Sequence, residues 1–109
     1  MIKASKVVFI SDELEGYFNS LSDEEPLKKA IVKAIKNLNY NAFSGIQIPK
    51  KLIPKDYVQN YKINNLWKLN LINGWRLLYT VTADNKVELI SAILEWFSHK
   101  EYERKLKYK

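Results

Sequence analysis

The chain of 109 residues contains no cysteine and a single histidine. The first absence excludes a disulfide framework, thiolate chemistry and a Cys-based zinc site. The second leaves no His-rich metal site, so neither a metal nor a small-molecule cofactor is expected. No apolar run approaches the ~20 residues that a membrane span needs. The opening segment, MIKASKVVFISDELEG, has only VVFI as an apolar stretch, and acids follow it at once. That is not the pattern of a signal peptide. A cytoplasmic protein with no membrane partner is the expectation.

What is present is a foldable composition. Hydrophobic residues make up 47% of the chain, too many for a disordered segment. The length suits one domain, 1–109, with a core that needs no covalent staples. The formal charge is +6, and it is unevenly placed. Residues 1–45 carry six lysines and six acids, whereas residues 46–109 carry twelve Lys+Arg and six acids. An excess confined to one part of the chain suggests an anionic partner. A lysine-rich solubilising surface produces the same excess, and charge alone does not choose between the two.

Hydrophobic spacing divides the chain. Residues 6–10, KVVFI, form a short strand candidate. Asp12 is a candidate cap for a first helix, with Glu15 as capping-box partner. Leu14, Tyr17, Phe18 and Leu21 follow at helical spacing. Ser22, with Glu25 three residues on, is expected to open a second helix, and Pro26 falls in its first turn, where proline is tolerated. Its stripe is Leu27, Ala30, Ile31, Ala34, Ile35 and Leu38. Asp23, Glu24 and Glu25 suit the positive N-terminal end of that helix. The two helices are expected to form a hairpin covering a sheet. Residues 43–65, broken by Gly45, Pro49 and Pro54, are expected to be a packed loop with a helical turn at 55–61. Three strand candidates follow, at 66–72, 75–82 and 86–97, and then a short charged helix capped by Ser98. The order β-α-α-β-β-β plus a C-terminal helix argues an α+β fold, with a helical hairpin on an antiparallel meander.

The stretch LWKLNLINGWRLLYTV, residues 66–81, carries two cations inside two hydrophobic runs. A two-residue Asn73-Gly74 loop would pair Leu71 with Arg76 and Lys68 with Tyr79, mixing cations and large apolar groups on both faces. A three-residue loop, Ile72-Asn73-Gly74 with Gly74 left-handed, shifts the register by one. Leu71 then pairs with Trp75, Leu69 with Leu77 and Trp67 with Tyr79. One face collects those apolar side chains. The other collects Lys68, Asn70, Arg76, Leu78 and Thr80. The cleaner sorting selects the second register. Arg76 then faces Asn70, with no carboxylate across the strand. Its planar fork of donors suits a phosphate. Pairing with Glu88 or Glu95 on the next strand, or plain solvation, is the alternative.

With this order of elements, LWKLNL, GWRLLY and SHKEY together make the chain resemble the RelE/ParE toxin superfamily, closer to its RelE-like mRNA interferase branch. GWRLLY is similar to that superfamily's aromatic-Arg-hydrophobic-hydrophobic-Tyr strand, and SHKEY to the His-x-x-Tyr that follows the last strand in several branches. The resemblance covers nearly the whole chain, although the 43–65 segment is longer than in the smallest members. It implies a toxin of a type II toxin–antitoxin pair, with a cognate antitoxin, mRNA and the ribosome as partners. The RelE branch cleaves mRNA in the ribosomal A site, whereas the ParE branch poisons DNA gyrase. Carried over by position, the resemblance implies catalytic roles for Arg76, Lys68, His99 and Tyr102. Asn70 stands where a second lysine is common, and Trp96 where some members have a further arginine.

Cleavage of RNA by its own 2′-OH needs a base, an acid for the leaving oxygen, and cations for the crowded phosphate. Histidine is the side chain whose ordinary pKa lies near neutrality, so His99 is the candidate acid or base. Arg76 and Lys68 are placed to stabilise charge on the phosphorane. Tyr102, one helical turn from His99, is a candidate to stack on a base or assist proton transfer. Lys100, Arg104, Lys105, Lys107 and Lys109 in the tail, and Lys50, Lys51 and Lys55 in the 43–65 segment, are candidate phosphate contacts. Each residue also has a bland reading: a surface histidine, a tyrosine that pins the tail helix, a solvated terminus. The alternative function is a protein of the same fold that does no RNA chemistry, either a gyrase-poisoning toxin or a catalytically degenerate binding protein.

Overall fold

The computed structural model describes residues 2–83 and 89–106. Strand β1 (Ser5–Phe9) leads into helices α1 (Asp12–Ser20) and α2 (Pro26–Tyr40). A two-residue strand β2 (Ile46–Gln47), a 3-10 turn (Lys50–Leu52) and helix α3 (Lys55–Tyr61) follow. Strands β3 (Trp67–Asn70), β4 (Arg76–Ala83) and β5 (Leu89–Phe97) and helix α4 (His99–Leu106) complete the chain. The fold is α+β, as the pattern predicts. The start of the third strand candidate, residues 86–88, lies outside the described residues.

Helix starts differ from the sequence expectation, for local reasons. Ser11, not Asp12, caps α1: its backbone is extended and its hydroxyl accepts from the Leu14 amide at 3.1 Å. Asp12, Glu13 and Glu15 then sit in the first turn, where the helix dipole favours negative charge. Helix α2 starts at Pro26, not at Ser22. Proline forces the residue before it out of helical geometry, and Glu25 is accordingly extended. Ser22 instead closes a separate turn, accepting from the Glu24 and Glu25 amides. Tyr17, placed by spacing on the buried stripe of α1, is 62% exposed.

Among the described residues the strands form one sheet in the order β1-β5-β4-β3-β2, with β1 parallel to β5 and the other pairs antiparallel. The hairpin takes the three-residue loop. Trp67 pairs with Tyr79, Lys68 with Leu78, Leu69 with Leu77, and Asn70 with Arg76. The Leu71 amide donates to the Trp75 carbonyl at 2.7 Å. Gly74 is left-handed (φ 80°), and so is Asn73 (φ 56°), the non-glycine residue that tolerates this region best.

The sheet separates two cores. On one face Leu77, Tyr79 and Ile93 pack against Ile31, Ala34 and Leu38 of α2. On the other, Leu78 and Leu94 pack against Ile48, Tyr57, Ile63, Tyr102 and Leu106. The 43–65 segment therefore does more than connect. Pro49 and Pro54 each precede a short helical element rather than merely breaking one, and the segment supplies β2 and, with Ile48, Tyr57 and Ile63, part of the second core. The face that carries Lys68 and Arg76 is half covered by α3 and α4, where the sequence predicts an open polar surface. Opposite Leu78 and Tyr79 a bulge skips Leu94, so Glu95 and then Phe97 turn to this second face.

Tyr79 ties the two layers together. Its hydroxyl donates to the Ala42 carbonyl at 2.9 Å and accepts from the Gly45 amide at 3.0 Å. A Cβ on Gly45 would lie 2.5 Å from the Lys68 carbonyl oxygen and 2.6 Å from the Tyr79 hydroxyl. Gly45→Ala is therefore expected to lower stability by about 2–3 kcal/mol, measured by urea unfolding, because it must break this bond or push β2 off β3. Burial pushes the Tyr79 phenol up to about 12, partly offset by the Gly45 amide. The native state then keeps a proton that the unfolded chain gives up above pH ~10. Its contribution is complete below that value and is lost as the pH rises to about 12. Tyr79→Phe should be less stable near neutral pH and should lose less stability between those two pH values.

Candidate nucleic-acid site

The site is built around Tyr102. Ser98 and Glu101 form a reciprocal cap that starts α4: the Ser98 amide and hydroxyl donate to the Glu101 carboxylate at 3.3 and 3.0 Å, and the Glu101 amide donates back at 3.4 Å. This fixes the phase of the helix, so Tyr102 and Leu106, one turn apart, point at the sheet. Tyr102 is 2% exposed. The Lys68 ammonium lies 5.2 Å from its ring centroid and the Arg76 guanidinium 5.7 Å. Both cations are partly buried. One aromatic ring thus gathers two cations from neighbouring strands by attraction to its electron-rich π-system. The sequence expectation that Tyr102 stacks on a base is not met in this arrangement, because its ring is occupied by the protein's own cations.

Arg76 is held in place by the turn that precedes it. Its Nη1 donates to the Gly74 carbonyl at 2.6 Å and to the Trp75 carbonyl at 3.3 Å. Its Nε is buried without a hydrogen-bond partner among the described residues. No carboxylate pairs with Arg76 among those residues. The expected alternative partner Glu95 instead accepts a short bond from the Tyr57 hydroxyl, and Glu88 lies outside the described residues. Burial, reinforced by Glu95, holds the Tyr57 phenol neutral, far above its ordinary range. A guanidinium with a fixed orientation and no carboxylate partner among the described residues has the character of an anion-binding group.

His99 meets this group at the hairpin turn. A Cβ on Gly74 would lie 3.3 Å from the His99 Cβ, a tight approach, and the positive φ favours glycine there. Gly74 therefore touches His99 on one side and holds Arg76 through its carbonyl on the other. The imidazole is 58% exposed, and its Nε2 lies 3.2 Å from Glu103 one turn on. The structure thus brings Lys68, Arg76, Tyr102 and His99 to one corner. Trp96 is not part of it. It packs on the opposite face of the sheet, edge-on to Phe9 at 6.4 Å between centroids.

The candidate phosphate contacts divide. Lys51 and Lys55 from one side, and Arg104 and Lys105 from the other, line a groove of about 610 Å³ between the start of α3 and the end of α4. Lys105 does not stand free in it. It pairs with Asp56 and lies 4.8 Å from the Tyr57 ring centroid, so it ties α4 to α3 where the sequence expects a phosphate ligand. Lys50 and Lys100 are exposed outside the groove lining. Lys107 and Lys109 lie outside the described residues. At 1.5 Å per residue, α4 carries the surface from the Arg76 corner to this groove over roughly 10 Å. Sequence reasoning missed Gly74 as a contact of His99, and Tyr57 with Glu95 as a polar pair under α4. The Asn-Gly dipeptide signalled the turn but not its contact with His99; the second depends on the bulge in β5 and has no local signature.

The hydrogen bond from Lys105, followed by its charge, lowers the Asp56 pKa below the ordinary value. A depressed carboxylate contributes stability that is present above its unfolded value and lost as the pH falls through the folded one. The Asp56 side chain is half exposed and Lys105 partly so, so Asp56→Asn is expected to cost about 1 kcal/mol or less near neutral pH. That difference from wild type should vanish in acid, as followed by urea unfolding across a pH series. Tyr102→Ala is expected to cost more, about 3–4 kcal/mol, because it empties the core under α4. No protein-family model, no curated protein and no solved structure matches this chain, so the reading of the site rests on its geometry.

Proposed function

We propose that this protein is a ribosome-dependent endoribonuclease that cleaves mRNA, the toxin of a type II toxin–antitoxin pair. The observation that carries the proposal is the corner where Arg76, oriented by the Gly74 carbonyl and without a carboxylate partner among the described residues, shares Gly74 with an exposed His99. Arg76 supports the role of a phosphate anchor, and His99, whose Cβ approaches the same turn, that of one of the two proton carriers that RNA self-cleavage requires. Lys68, gathered by the same Tyr102 ring, adds a second cation. The groove with Lys51, Lys55 and Arg104 supports binding of the backbone beyond the scissile phosphate. Tyr102 acts as a positioning residue that aligns the cations. A non-nuclease toxin or degenerate relative is the second reading. It is favoured by Trp96, which faces away from the site and leaves it without a third strand cation.

The test is induction of the gene in a bacterial host with mapping of mRNA 5′ ends on ribosomes. Wild type is expected to produce cuts. Arg76→Gln and His99→Ala are each expected to reduce them by at least about a hundredfold while circular dichroism and melting show an intact fold. Full cutting by both folded variants would place the chemistry elsewhere. Growth arrest with intact mRNA would favour the non-nuclease reading.

A further inference from the structure

His99 has a partner of its own on α4. Glu103 follows it by one turn, on the same face of the helix. The Glu103 Oε1 lies 3.2 Å from the imidazole Nε2. The two side chains are 58% and 48% exposed, so the pair stands in solvent at the rim of the Arg76 corner. Glu103 makes no other ion pair among the described residues. A solvated pair of this kind adds little to stability. What it does restrict is the ring. The Ser98–Glu101 cap already sets the phase of the helix, and the His99 Cβ already lies against Gly74. The freedom left to His99 is rotation of the imidazole about its two side-chain bonds, and a bond at Nε2 removes it.

We infer that Glu103 is the positioning residue of His99: it accepts the Nε2 proton, fixes the ring and leaves Nδ1 as the nitrogen offered to the RNA. A neutral imidazole carries a proton on one nitrogen and a lone pair on the other, so an acceptor held at Nε2 assigns the lone pair to Nδ1. Glu103 does not fit the role of the second proton carrier. Displacement at phosphorus places the entering and leaving oxygens in line, on opposite sides, so the two carriers must straddle the phosphate. Groups 3.2 Å apart on one helix face stand on the same side of it. Glu103 therefore acts through His99. This role presupposes that the chain cleaves RNA.

The experiment is single-turnover cleavage of mRNA on purified, programmed ribosomes by the full chain and its variants. Glu103→Ala is expected to lower the rate at saturating protein about tenfold and to leave the half-saturating concentration within about twofold. In a His99→Ala background the same substitution should cost nothing further, because its effect passes through the ring. His99 is the chain's single histidine, so selective labelling gives one imidazole spin system by NMR. Its side-chain couplings should report one rotamer in wild type and averaging in Glu103→Ala, with circular dichroism unchanged. A wild-type saturating rate in Glu103→Ala, or a further loss on top of His99→Ala, would overturn the inference while leaving the nuclease reading intact. So would rotamer averaging already present in wild type. A change confined to the half-saturating concentration would make Glu103 a charge on the RNA path and would overturn it as well. Absence of cuts by wild type would remove the nuclease reading and this role with it.

Discussion

The left-handed turn at Asn73-Gly74 is the constraint on which the rest of the structure depends. It adds one residue to the hairpin loop, and that single residue decides which face every side chain of β3 and β4 takes. With it, Leu77 and Tyr79 reach the α2 core and Lys68 and Arg76 reach the other face. The same turn presents the carbonyl that orients Arg76 and the bare Cα against which His99 rests. Fold and candidate site thus share one local backbone feature.

The second face of the sheet joins two opposing demands. It must bury Leu78, Leu94 and Leu106 and also hold two cations near water. Tyr102 reconciles them. Its ring is apolar enough to belong to the core and electron-rich enough to attract the charged heads of Lys68 and Arg76. The Tyr57–Glu95 bond and the Lys105–Asp56 pair repeat the device farther along α4, where polar groups at the edge of the core satisfy one another.

The charge of the folded molecule is arranged differently from the charge of the chain. Along the sequence the first 45 residues are neutral and the remainder is basic. In the structure the acids of that first part fall on α1 and the turn after it, so α2 is left with lysines alone. Two cationic surfaces therefore lie on opposite faces of the sheet. One is organised by an aromatic ring and backbone carbonyls, the other bordered by an alkyl groove.

Periods of two and 3.6 residues, the Asn-Gly turn and the Ser98-x-x-Glu101 cap are local, and each was legible in the sequence because backbone geometry within a few residues determines it. The hairpin register followed from the same logic, since only one loop length sorts LWKLNL and GWRLLY cleanly. The start of α2 was misplaced although its cause, a proline disfavouring helix in the residue before it, is also local. Other features required contacts between distant residues. The parallel pairing of β1 with β5 joins Ser5 to Leu89, and β2 exists only because β3 offers an edge to its two residues. The bulge at Leu94 turns Glu95 toward Tyr57, and the packing of α3 and α4 converts an expected open cationic face into a half-buried one. The sequence by itself determined the main helices and strands, the α+β class and which residues of the hairpin share a face. Only the tertiary structure decided that Tyr102 is buried, that Lys105 is tied to Asp56 and that His99 and Arg76 both come to Gly74, because each depends on groups brought together by packing rather than by spacing along the chain.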